Sequence, residues 1–505
     1  MDIKILAKKQ YRLWLLLFIG LLVIATILMI NKESHAPLPT PRGELVKMIG
    51  TKGKSPESLA SYKTVTGILN IQHWVTDQGV RVYFVPVTTF PMVDIQITFD
   101  AGAARDGNKG GMAYLTNLLL ADGTKEISPD QVALSFENVG AQYHSQSLRD
   151  MSIINLRSLS SASELTTALK TLSAIISQPA FSEGGFKREQ QNMLSTLQQE
   201  GQMPQKVASR AFFTELYGKG PYANWQLGDE ASVKALTIND VKEFHQKYYV
   251  TKNMVVTVVG NLTADDANAL VQALSEHLPV GEKAPLLPKV ADLTEKQIKK
   301  ISFPSQQTHI LLGEPVLSQG DPDYYPLTVG NHILGGNGSV TQLYNIVRSQ
   351  HGLAYSIDSY FLPFRDKGPF VISCQTRNDK AEEALKLLEG TFTDFVAKGP
   401  TEDELAQAKQ NLLGGYALQF DSNVAISQQV ALLGFYDLPL TFFNDFKPAV
   451  EKLTVEDIKK AYQKRVSPNH YAIVMVGGKA TPGGPLEDIK TPHHDVHSGP
   501  GGSQS

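Results

Sequence analysis

LTINDVKEFHQKYYVTKNMVVTVVGN, residues 236–261, and LTVEDIKKAYQKRVSPNHYAIVMVGG, residues 453–478, are two copies of one pattern. Overlaid without a gap, Leu236–Gly260 and Leu453–Gly477 share eight of 25 positions: Leu, Thr, Asp, Lys, Gln, Lys, Val and Gly. The offset is 217 residues, 453 less 236. Each copy reads as a helix, a turn and a strongly apolar strand. A second pair recurs at an offset of 219, 401 less 182: SEGGFKREQQNML from Ser182 and TEDELAQAKQNLL from Thr401, with Phe186 on Leu405 and Asn192 on Asn411. Two matches at nearly one spacing mark an internal duplication. The fold class is therefore α+β, with two duplicated lobes, each a largely antiparallel sheet packed with helices.

The lobes are placed at residues 69–280 and 298–478, about the size of ordinary domains. Between them GEKAPLLPKVADLTEKQ, Gly281 to Gln297, is dense in proline and charge and reads as a linker. In the first lobe, Ile71 to Val87 alternates like a hairpin about Asp77-Gln78-Gly79, and Val93 to Ala103 reads as a further strand. GGMAYLTNLLLADGT, Gly110 to Thr124, is the lobe's first long helix, with Met112, Leu115, Leu118 and Leu119 as its buried face. Its polar residues, Tyr114, Thr116 and Asn117, cannot together hold a metal. The tail, residues 479–505, is rich in Gly, Pro and Ser and reads as disordered.

The N-terminus carries a different signal. Leu13 to Ile30 is an uncharged apolar run of 18 residues. At ~1.5 Å per residue it covers ~27 Å, near the thickness of a bilayer core. Lys4, Lys8, Lys9 and Arg12 precede it, and only Lys32 follows closely. The positive-inside rule then puts residues 1–12 in the cytoplasm and the body on the exported side, facing the periplasm if the cell is bacterial. Residues 32–68 read as a tether, Pro-rich at its start. A cleaved signal peptide with its site at Ser34–Ala36 is the rival reading, against which the apolar run is long and followed by charge.

Composition excludes several functions. A net charge of -3 makes no case for nucleic acid, and Lys296, Lys299 and Lys300 read as solvated ends. One cysteine, Cys374, allows neither an intrachain disulfide nor a cysteine zinc cage, and its apolar setting reads as a buried small hydrophobe. His144, His245, His332 and His351 have no second histidine at ligand spacing, and only His493, His494 and His497, in the tail, cluster. No G-x-S-x-G elbow is present. LGGNGS, Leu334 to Ser339, follows a helical pattern and reads as a helix end, not a phosphate loop.

The duplication, GGMAYLTNLLLADGT and VRSQHGLAYSIDSYF at Val347 to Phe361 together resemble the pitrilysin and mitochondrial processing peptidase family, the inverted-motif zinc peptidases. The resemblance runs from about residue 70 to 478. Members carry H-x-x-E-H on the first helix. Laid on this chain, the motif's surroundings keep Gly111, Ala113, Gly123 and Thr124. The first histidine falls on Tyr114, the glutamate on Asn117 and the second histidine on Leu118. A further family glutamate falls on Glu189, and the third ligand, seven residues on, falls on Thr196. The resemblance thus implies a degenerate site with no metal in this chain. It also implies a substrate-binding pair at Arg348 and Tyr355, flanked by Gly352, Leu353, Ala354 and Ser356. The flank departs from the family where Thr341-Gln342 precede Leu343 and where Val347 replaces leucine.

Some enzymes of that family divide zinc motif and peptide-binding pair between two chains. The resemblance therefore implies a membrane-anchored pseudoenzyme, inactive alone. It would bind peptide and complete the chamber of an H-x-x-E-H partner that holds the zinc. The alternative is a peptidase-like structural or assembly protein without a proteolytic role.

Overall fold

The computed structural model describes residues 44–49, 55–336 and 338–478. The expected transmembrane run, the stub before it and the tail histidines His493, His494 and His497 lie outside the described residues. Among the described residues no helix is long and apolar enough to cross a membrane.

Two sheets carry the fold. The first contains β1 (Lys63–Val65), β2 (Ile71–Val75), β3 (Arg81–Pro86), β4 (Met92–Phe99), β5 (Gln142–Ser147), β6 (Ser152–Leu159) and β7 (Met254–Gly260), in the order β1-β2-β3-β7-β4-β6-β5. The second contains β8 (Gln297–Ser302), β9 (Gln307–Leu317), β10 (Ser356–Phe361), β11 (Gly368–Arg377) and β12 (Ala472–Gly477), in the order β8-β12-β9-β11-β10. The series β3-β7-β4-β6-β5 repeats as β8-β12-β9-β11-β10, strand for strand. Among the strands of the described residues only β3/β7 and β8/β12 pair in parallel. The duplication read from the sequence is thus a duplication of topology, with the first lobe extended by the β1–β2 pair.

The repeated sequence folds alike for local reasons. The Thr237 hydroxyl accepts from the Asp240 N–H, and the Asp240 carboxylate accepts from the Thr237 N–H at 2.8 Å. Thr454 and Asp457 make the same capping box, closed at 2.9 Å. Each box satisfies N–H groups that a helix start otherwise leaves open. The helices Ile238–Tyr248 and Val455–Arg465 then bury Val241 and Ile458 at matching positions. All seven residues of β7 are buried.

Two sequence expectations change, and the linker takes on contacts. The tether, expected to run to residue 68, ends earlier, because the chain joins the first lobe before that point. Leu45, on the helix Glu44–Ile49, is 2% exposed and lies in the first core, and β1 pairs with β2. The linker has no regular structure from 281 to 294 but is pinned along its length, by Glu282 to Lys252 (2.9 Å), Ala284 N–H to Asn253 (3.2 Å) and Val290 N–H to Asp366 (2.9 Å). The helix Met112–Leu119 leaves Leu118 half-buried and buries Thr116 and Asn117 instead, because the lobe packs around nearly all of it.

The lobes exchange helices. Pro204–Tyr217, from the first repeat, lies on the second sheet, where Ala208, Phe212 and Leu216 meet Val371, Val474 and Val476. Asn423–Phe435, from the second, lies on the first sheet, where Ile426, Val430 and Leu433 meet Tyr83, Val255 and Val259. The approach is close: a Cβ on Gly434 would stand 2.5 Å from the Tyr83 ring. An Arg-Asp pair sits at this junction in both repeats, Arg149-Asp150 and Arg365-Asp366. The Arg149 guanidinium lies 3.4 Å over Phe213, and that of Arg365 lies 4.4 Å over Phe435. The buried Asp150 carboxylate accepts from the Arg365 N–H (2.9 Å), the Tyr222 hydroxyl (2.8 Å) and the Tyr436 hydroxyl (2.9 Å).

One buried acid gives a pH dependence. Glu314, on β9, accepts from the Ser467 N–H at 2.6 Å, and burial pushes its carboxyl up from 4.5 to about 8. Between those two values the folded chain holds a proton that the unfolded chain releases. The stability present below pH 4.5 is therefore lost as the pH rises through about 8. Glu314→Gln keeps the acceptor and removes the titration. Urea unfolding at pH 8 should find the variant more stable, by on the order of 2 kcal/mol, with the two proteins converging near pH 5. Equal midpoints at both pH values would contradict this.

Candidate functional site

The helix Met112–Leu119 starts at Gly111, which holds φ at 89°. Asp106 caps it: its carboxylate accepts from the Gly111 and Ala113 N–H groups, both at 2.8 Å. Burial holds the Asp106 carboxyl well above the usual carboxylate range. The sequence gives no sign of this cap, because Asp106 lies five residues before the N-cap Gly111 and reaches it only through the fold of the loop.

Each degenerate position has its own surroundings. Asn117 is 1% exposed and donates its amide to the Ser152 hydroxyl at 2.7 Å, which in turn bonds the Tyr249 hydroxyl at 2.8 Å. Its side chain is therefore committed to the sheet. Tyr114 is half-buried, and burial raises its phenol, with Glu200 and Glu189 adding to the effect. Leu118 is half-buried as well. Thr196 is exposed, on the helix Glu183–Glu200, and returns its hydroxyl to the Asn192 carbonyl at 2.9 Å. Glu189 accepts from Arg188 (3.0 Å) and Asn192 (3.2 Å). Glu200, nearly buried, accepts from the Trp225 indole (2.9 Å) and pairs with Lys206 (3.3 Å).

This donor set does not fit zinc. The metal needs imidazole, thiolate or carboxylate ligands converging on one point. The four positions offer a phenol, a bonded amide, an alkyl chain and a helix-bonded hydroxyl. Among the described residues no group of three His, Cys, Asp or Glu could hold a metal ion. The histidines stand apart: His245 is buried on Tyr249 with its Nε2 2.7 Å from the Ile176 carbonyl, and burial lowers it to about 4. Its imidazole is thus neutral and structural. Nδ1 of His351 lies 2.7 Å from the Ile346 carbonyl.

Arg348 and Tyr355 flank the turn into β10. The chain is π-helical over Tyr344–Gln350, reverses at Gly352 (φ 63°), and docks the Tyr355 N–H on the Gln375 carbonyl at 2.7 Å. The Arg348 guanidinium stands 5.0 Å from the Tyr344 ring centre. Tyr355 is 69% exposed, which is far from the packed interface tyrosine of a purely structural role. Among the described residues neither side chain makes a hydrogen bond or an ion pair. Both are available to a ligand.

Cys374, Lys296, Lys299 and Lys300 are structural. The Cys374 thiol is buried, which pushes it up to about 12 and keeps it from acting as a nucleophile. Lys296, Lys299 and Lys300 pair with Glu389, Glu215 and Glu382.

Comparison with known proteins points one way. Residues 85–230 match the profile of insulinase, peptidase family M16, and residues 235–412 match that of the peptidase M16 inactive domain. A crystal structure of a peptidase M16 inactive domain from Pseudomonas fluorescens is 36% identical, covers 83% of this chain and 100% of its own, and superposes with a TM-score of 0.79. A Helicobacter pylori protein named non-peptidase homolog YmxG is 26% identical over 77% of this chain and 90% of its own. The mitochondrial-processing peptidase subunit beta of Lentinula edodes is 22% identical over 86% of this chain and 96% of its own.

Proposed function

The chain belongs to peptidase family M16 as an inactive member, and from that premise we propose that it is the membrane-anchored, non-catalytic subunit of a two-chain zinc peptidase. The observation that carries the reading is a contrast between the lobes. The first lobe's four motif positions cannot ligate zinc, whereas the second lobe leaves Arg348 and Tyr355 exposed and, among the described residues, without a hydrogen-bond or ion-pair partner. A guanidinium and a phenol both donate to peptide carbonyls. In this arrangement a partner bearing H-x-x-E-H supplies the metal and its water chemistry. This chain's part is to hold the substrate backbone in register and to close the chamber.

Reconstitution tests it. The purified chain alone should cleave no peptide, and cleavage should appear when an M16 chain with an intact motif is added. Full activity of that partner alone, unchanged on adding this chain, would sink the proposal.

The anchor is part of the same proposal. Residues 31–43 at most ~3.5 Å each reach ~45 Å from the bilayer to the helix at Glu44. The body would then stay close to the membrane, on the exported side. Removing residues 1–31 should move the protein from the membrane pellet to the soluble fraction of lysed cells, while its melting curve stays the same. Persistence in the pellet through a carbonate wash would refute the anchor.

A further inference from the structure

A cavity at the junction of the lobes has an unusual lining. The first sheet carries two cross-strand rows on the face that receives the helix Asn423–Phe435. Register places His144, Asn155, Gln96 and Thr257 in one row, and Gln142, Arg157, Asp94 and Val259 in the next. Over β3 and β7 this face is apolar apart from Thr257, and the helix fills it with Ile426, Val430 and Leu433. Over β4, β6 and β5 it is polar, and there the helix leaves a cavity of about 200 Å³, roofed by Val424, Ser427 and Gln428.

The hydrogen-bonding capacity of that lining is almost unused. Asp94 and Arg157 satisfy each other at 2.8 Å. The side chains of Gln96, Gln142, His144, Asn155 and Gln428 make no hydrogen bond to any described residue. Ser427 is 3% exposed, and its hydroxyl has no partner among the described residues. Gln96 is 4% exposed. Of these groups Gln96 and Ser427 are buried, and burying them unpaired costs stability that apolar side chains would avoid, whereas Gln142, His144 and Gln428 are exposed. Junctions between domains are also where small-molecule sites concentrate.

We propose that this cavity binds a small neutral ligand that donates and accepts hydrogen bonds on several sides. The chemistry follows from the lining. The one acid and the one arginine cancel, so no net charge is asked for. Amide side chains and a hydroxyl each offer both donor and acceptor. A carboxamide and a hydroxyl-rich sugar share that complementarity. The site lies apart from Arg348 and Tyr355 in sequence and lobe, and it stands whether or not the chain serves a peptidase.

Ligand-detected NMR on the full chain, with L-glutamine and N-acetyl-D-glucosamine as separate probes, tests the assignment. One probe should show saturation transfer, and Gln142→Leu, at the exposed edge of the sheet, should weaken its binding at least tenfold. Gln96→Leu should abolish it, with each variant's circular dichroism matching the parent's and its melting temperature no lower. Which probe binds separates the two sources. No transfer from either probe at millimolar concentration would overturn the proposal and leave ordered water as the occupant. Binding that survives both substitutions would overturn it as well.

Discussion

Arg348→Ala is expected to raise the KM of the reconstituted peptidase by about 10- to 100-fold while kcat changes little. A guanidinium donating to peptide carbonyls contributes on the order of 1.5–3 kcal/mol, and each 1.4 kcal/mol is about tenfold in affinity. The group is far from any metal in this reading, so it binds ground state and transition state alike, and its loss appears in KM. Its neighbours make the variant safe to fold, because Arg348 is exposed and makes no ion pair with a described residue. Arg348→Lys keeps the charge but not the planar fork and should retain only part of the affinity. Tyr355→Phe, which removes one hydroxyl from an exposed ring, should have a smaller effect in the same direction. Steady-state kinetics on a fluorogenic peptide reads all three. An unchanged KM in Arg348→Ala and Tyr355→Phe would favour a peptidase-like scaffold over a substrate-binding subunit.

Asp150→Ala is expected to be the most destabilising single change at the lobe junction, by about 3 kcal/mol or more. It strands three donors at once, the buried Tyr222 hydroxyl and the partly buried Arg365 N–H and Tyr436 hydroxyl. Two of the three come from the second lobe, so the loss falls on the contact between lobes more than on either core. The wild-type protein should unfold in urea as one transition. The variant should unfold in two, the lobes parting before their sheets melt. Hydrogen exchange should rise first in the exchanged helices Pro204–Tyr217 and Asn423–Phe435. Asp150→Asn, which keeps an acceptor in place, should lie between. A variant that unfolds in one step at the parental midpoint would show that helix exchange alone holds the lobes.

Much of the fold is legible in the sequence because it is written twice. The helix, turn and apolar strand that begin at Leu236 and again at Leu453 are local signals, and their spacing reveals the repeat without any contact being known. The degenerate motif is legible for a similar reason: ligand chemistry belongs to residue types, and no packing turns Leu118 into a ligand. The burial of Asn117 is not legible. Its neighbours Ser152 and Tyr249 come from distant parts of the chain, and a helical wheel cannot see a sheet that covers its polar side.

The sequence by itself determined that the chain is a duplication, that it has an apolar N-terminal run, and that its four motif positions, Tyr114, Asn117, Leu118 and Thr196, lack the residue types of a zinc site. These depend on periodicity and side-chain chemistry, which travel with the residues. Tertiary structure alone decided that each lobe lends a helix to the other's sheet, that Asp150 ties the two together, and that Gln96 and Ser427 meet across a polar cavity. Those facts depend on which surfaces face each other after the chain has crossed between lobes. Pairings between residues hundreds of positions apart leave no local period to read.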